Sequence, residues 1–139
     1  MRTMIQAHGG ELKNCIASQE EREFLKRKIA TLPRLILTRR QQCDLELLVN
    51  GAFSPLEGFM EEKDYVSVRE NMRLSNGILW PIPIVLDISE HEKYALGDEI
   101  VLCDQSGTPR ALFFISSRYT PDKKREAELV YGTGDRAHF

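Results

Sequence analysis

The chain has 139 residues, with 19 Lys+Arg against 21 Asp+Glu, a net charge of −2 and a sequence pI near 5.9. Apolar residues make up 42% and charged residues 29%, the balance of a globular domain rather than of a mainly disordered chain. The near-neutral charge argues against a dedicated nucleic-acid binder, whose footprint is strongly basic. The longest apolar run, Ile78 to Leu86, spans nine residues and holds Pro81 and Pro83. A membrane-spanning helix needs about 20. With no apolar leader at the N-terminus, the chain reads as soluble, cytoplasmic and one domain over 1–139.

Residues 1–17 carry a Gly9-Gly10 break and read as an arm or loop with one short strand. Ser18-Gln-Glu-Glu21 has the reciprocal capping pattern that opens a helix. That helix is expected to run to about Leu32, with Phe24, Leu25, Ile29 and Leu32 as its buried stripe, and to stop at Pro33. Leu35 to Leu37 follows as a strand. Thr38 then caps a second helix from about Arg40 to Asn50, with Leu45, Leu48 and Val49 facing inward and Gly51 in the left-handed position beyond its end. A turn-rich connector, Ala52 to Met60, leads to a third helix over Glu62 to Asn71 that buries Tyr65, Val68 and Met72.

Asn76-Gly77 marks a turn, and Ile78 to Ile88 reads as an extended segment confined by its prolines to an edge, a bulge or a bend. Leu96-Gly97-Asp98 turns into a strand at Glu99 to Cys103, and Asp104 to Gly107 forms a hairpin loop returning along Arg110 to about Tyr119. Thr120-Pro121 caps a last helix from about Asp122 to Val130. Helices first, strands second and a closing helix make an α+β domain with a small β-barrel or curled sheet.

Few residues offer chemistry. His8, His91 and His138 lie far apart, and no Cys-x-x-Cys links Cys15, Cys43 and Cys103, so a metal site would need distant segments. The three cysteines read as reduced thiols. Gly9-Gly10 and Gly132-Thr-Gly134 lack the strand and helix context of a phosphate cradle and read as turns. Ser54 and Ser75 have no histidine nearby, and no Gly-x-Ser-x-Gly elbow is present. The carboxylates Glu61, Glu62, Asp64, Glu90 and Glu92 read as solvated faces. Lys26-Arg-Lys28 and Lys123-Lys-Arg125 read as helix faces paired with neighbouring acids, whereas Arg39-Arg40 is the less balanced pair that could touch an anion or a partner's carboxylates. Trp80 reads as packing. No catalytic, cofactor-binding or metal residue is assigned.

Several segments in order nevertheless carry a pattern: His8-Gly-Gly-x-Leu12, Asp44-Leu-Glu-x-Leu48, Gly51-Ala-Phe-Ser-Pro-Leu-x-Gly-Phe-Met60 and Asp64-Tyr-x-x-Val68. After them come Met72-Arg-Leu-x-x-Gly77, Leu79-Trp-Pro-Ile-Pro-Ile84 and Val130-Tyr-Gly-Thr-x-Asp135-x-x-His138. This series resembles the N-terminal domain of ATP sulfurylase (sulfate adenylyltransferase). The resemblance implies a PUA-like small β-barrel with flanking helices. It also implies a whole enzyme using MgATP, in which sulfate attacks the α-phosphate of ATP to give adenosine 5′-phosphosulfate and pyrophosphate. In that family the chemistry lies in a following α/β domain with Gln-x-Arg-Asn and His-x-x-His segments. This chain has neither Arg-Asn-Pro nor His-x-x-His. The implied role is a non-catalytic one, contacting a catalytic domain or subunit and supporting a homo-oligomer. Displacement at phosphorus needs positioned cations and donors, so the chain alone is expected to be inactive. An RNA-binding module of PUA type and a freestanding adaptor are the alternatives.

Overall fold

A computed structural model describes residues 3–135 and 137. Its elements in chain order are α1 (Gln19–Lys28), a 3-10 turn (Ile29–Thr31), β1 (Arg34–Ile36), α2 (Arg39–Val49), α3 (Glu62–Asn71), β2 (Glu99–Cys103), β3 (Pro109–Phe114) and α4 (Lys123–Val130). They fall into two compact units: Met1–Phe59 with Ile88–Ser116, and Met60–Asp87 with Ser117–Phe139. Among the described residues, no helix is long and apolar enough to cross a membrane.

The first unit holds the sheet. β2 is central, parallel to β1 and antiparallel to β3, with Leu35 opposite Leu102 and Val101 opposite Leu112. Ile100 to Cys103 are all buried, the continuous apolar run of a strand covered on both faces. Burying each such aliphatic side chain stabilises the fold by about 1.5–3 kcal/mol. The helices start where their caps dictate. Ser18 Oγ accepts from the Glu21 amide while Glu21 accepts from the Ser18 amide, and Thr38 and Gln41 repeat the arrangement on α2. Leu45 and Leu48 bury the inner face of α2, and Gly51 takes φ +85° beyond its end.

The expected stripe on α1 is only half-formed. No α1 residue is buried, Phe24 is 61% exposed, and the α-helix tightens to 3-10 after Lys28. The sheet has three strands, with β1 and β3 at its edges. β3 ends at Phe114, well short of Tyr119. The arm over 3–17 contains no strand and is held by backbone bonds such as Cys15 N–H to the Val49 carbonyl at 3.0 Å.

In the second unit, α3 buries Tyr65 and Val68 as its spacing demands. Met72 is instead 49% exposed, because it is the left-handed C-cap (φ 54°) and turns off the helix face. The Asn76-Gly77 turn closes a bridge between Arg73 and Leu79, and residues 80–88 form no strand, although Trp80 N–H donates to the Met72 carbonyl (2.9 Å) and the Ile84 carbonyl accepts from Met60 N–H (2.8 Å). Trp80 and Ile84 are buried. α4 starts at Lys123, capped by the Asp122 carboxylate accepting from the Arg125 amide, not by Thr120.

Candidate functional site

A cleft of about 620 Å³ opens in the first unit. The arm at Cys15–Ala17, Arg22, Leu25 and Lys26 of α1, and β3 from Pro109 to Phe113 line it. Leu45 and Leu48 of α2 and Val101 and Leu102 of β2 supply apolar lining, and Phe59 meets Phe113 edge to face at 5.9 Å. Three cations and one carboxylate, Glu57, also line it. Lys26 pairs with Glu23 (2.8 Å), Arg110 with Asp104 (2.7 Å) and Glu57 with Lys13 (3.1 Å). Arg22 donates through Nε to the Ala17 carbonyl (3.0 Å), and among the described residues no carboxylate pairs with it. The Cys15 thiol, also lining the cleft, donates weakly to the Glu57 carbonyl at 3.8 Å.

Beside the cleft, Asp104 knots the β2–β3 hairpin. One carboxylate oxygen accepts from Ser106 N–H (2.9 Å), Ser106 Oγ (2.6 Å) and Thr108 N–H (3.0 Å); the other takes the Arg110 guanidinium. The Ser106 hydroxyl leads these donors in drawing its pKa down to about 2. The second unit has its own polar cluster joining α3 to α4. Tyr65 OH donates to Glu126 (2.7 Å), Arg69 lies over the Tyr65 ring, and Arg125 grips Glu70 with two bonds (2.6 and 2.7 Å). Arg125, with Arg69 behind it, holds Glu70 down to about pKa 2. Burial and then the Glu126 bond push the Tyr65 hydroxyl well above its usual range. Tyr119, stacked at 5.2 Å, is raised chiefly by burial and donates to the Met60 carbonyl.

The residues singled out from sequence land apart. His8 and His91 are exposed in turns, and His138 lies outside the described residues. Among the described residues, no three His, Cys, Asp or Glu come close enough to hold a metal. Cys15 and Cys43 are exposed, Cys103 is buried, and all three are free thiols. Ser54 is buried and structural: its hydroxyl donates to the Gly51 carbonyl (2.6 Å) and accepts from the Lys13 amide (2.9 Å). Ser75 binds Asp64. Arg39 and Arg40 are exposed on the first turn of α2. The Lys123–Arg125 run does not pair along its own helix; Lys123 reaches Asp87 in the preceding extended segment and Arg125 reaches Glu70 of α3. Lys28 likewise leaves α1 for Glu99 (2.7 Å), whereas Lys26–Glu23 is the expected helical pair. The cleft itself left no spacing signal in the sequence, since three non-adjacent segments build it.

Comparison with known proteins agrees with this architecture. Residues 5–138 match the family described as PUA-like domain. Sulfate adenylyltransferase of Schizosaccharomyces pombe is 49% identical over 121 residues, covering 84% of this chain and 25% of that protein. The Candida albicans sulfate adenylyltransferase is 47% identical (94% of this chain, 27% of that one), and the Persephonella marina protein of the same name 40% (97% and 36%). Among solved structures, a hexameric APS kinase from Thiobacillus denitrificans superposes with a TM-score of 0.77 at 34% identity, covering 86% of this chain and 24% of that one. The chain thus spans 25–36% of the length of these curated relatives, at their N-terminal part. With four helices, a three-stranded sheet and a match along nearly its whole length, the chain belongs to the PUA-like domain family.

Proposed function

We propose that this chain serves as the non-catalytic N-terminal domain of a sulfate adenylyltransferase, the whole enzyme joining MgATP and sulfate into adenosine 5′-phosphosulfate and pyrophosphate in the cytoplasm. The observation that carries the reading is the extent of the match. At 40–49% identity, similarity to proteins of that name covers this chain nearly throughout and only 25–36% of theirs. In this reading the sheet is part of a small PUA-type β-barrel or curled sheet that leaves the outer edge of β3 open, and the domain's work is contact with a catalytic domain or subunit and between copies of the whole enzyme. The hexameric state of the structural neighbour from Thiobacillus denitrificans supports that last element. Fold alone does not assign a reaction, so activity is the proper test.

Purified chain given ATP, Mg²⁺ and sulfate should release no pyrophosphate above background; steady release would overturn the non-catalytic role. A Schizosaccharomyces pombe sulfate adenylyltransferase lacking its matched N-terminal portion should bind this chain in a pull-down at low salt. Failure to bind would remove the proposed contact.

A further inference from the structure

We propose that the outer edge of β3 is a docking strand for an extended peptide segment of another protein, apolar at alternate positions and flanked by acidic residues. The backbone geometry comes first. Ile115 N–H donates to the Asp98 carbonyl (2.9 Å), continuing the β2–β3 register in which Phe113 opposes Ile100 and Ala111 opposes Leu102. Hydrogen-bonding groups alternate along a strand, so Phe113 and Ala111 spend theirs on β2, and Leu112 and Phe114 point theirs away from the sheet. Among the described residues, neither the amide nor the carbonyl of Leu112 or Phe114 has a hydrogen-bond partner.

That same strand lines the cleft. Five consecutive residues, 109–113, do so, Leu112 of the open edge among them. A volume of about 620 Å³ suits a short peptide, within the range of about 300–1,000 Å³ typical of binding sites. Free edge groups supply affinity and pockets for alternate side chains supply selectivity, as in strand addition generally.

Charge selects the flanks. Arg22, Lys26 and Arg110 line the cleft with Glu57; Glu23 offsets Lys26, Asp104 offsets Arg110 and Lys13 offsets Glu57, which leaves Arg22 to set the charge of the rim. Arg22 is the cation whose charge no carboxylate offsets among the described residues. A basic flank would be repelled there. Pro109 and Arg110 guard only one end of the edge against uncontrolled pairing, leaving Leu112 to Phe114 open.

The test uses a fluorescein-labelled peptide, Glu-Glu-Val-Thr-Val-Thr-Val-Glu-Glu, and two copies, N-methylated on the valine amides or on the threonine amides. Fluorescence anisotropy should show saturable binding to the chain. One methylated copy should bind about ten-fold or more weakly and the other like the parent, because only one parity of amides faces the edge. Amide exchange followed by NMR should slow at Leu112 and Phe114 when peptide saturates. Arg22→Glu should weaken binding several-fold with an unchanged far-UV spectrum. Four results would overturn the proposal: no binding at millimolar peptide; both methylated copies binding like the parent; Leu112 and Phe114 amides already slow in the free monomer; or self-association that protects them, which would assign the edge to a second copy. An Arg22→Glu variant binding as tightly as the parent would overturn the acidic flank.

Discussion

Replacing Gly51 by alanine should destabilise the chain by about 2–3 kcal/mol, from two separable causes. Gly51 sits at φ +85°, where an L side chain costs about 1–2 kcal/mol. A Cβ there would also collide with the Lys13 carbonyl oxygen and press Leu12 Cδ1 at 3.1 Å. The arm must then shift, and the bond from Lys13 N–H to Ser54 Oγ (2.9 Å) is lost, removing about 1 kcal/mol more. Gly77 supplies the control. Its φ of +91° carries the same conformational cost, but a Cβ there meets nothing within 4 Å. Gly77→Ala should therefore lose only about 1–2 kcal/mol. Urea unfolding followed by far-UV circular dichroism reads both variants. Equal losses would refute the argument that the arm is pinned against the end of α2.

Four further outcomes follow from the polar and buried groups. Glu70, held at about pKa 2 against its ordinary 4.5, contributes stability that is whole above pH 4.5 and drains away as pH falls toward 2; Glu70→Gln should flatten that limb of a thermal-unfolding pH series. Asp104, also at about 2, acts in the same acid range, so Asp104→Asn should flatten a separate share, and an unchanged acid limb in both variants would contradict the sign. Tyr65→Phe removes the bond to Glu126 and should cost about 1 kcal/mol in urea unfolding, with no loss expected if solvent already satisfies both groups. Cys15 and Cys43 should react promptly with a thiol-specific chromogenic reagent, and Cys103, buried and with its thiol pushed upward by that burial, only on unfolding.

Local chemistry was enough, in the sequence alone, for the parts of this protein that depend on a few neighbouring residues. Ser18 with Glu21 and Thr38 with Gln41 cap helices through contacts three residues apart, Gly97 turns the chain into β2, and the run Ile100–Cys103 is buried because its residues are apolar throughout. The long shared motifs identified the family for the same reason: order and spacing are properties of the string. Tertiary structure decided what depends on distant partners. Phe24 stays exposed although its spacing fits a stripe, and Arg125 abandons its own helix for Glu70, fifty-five positions away. The cleft and the open edge of β3 belong to that second class. Which backbone groups of a strand remain unpaired is set by the strand beside it, and no residue type records that choice.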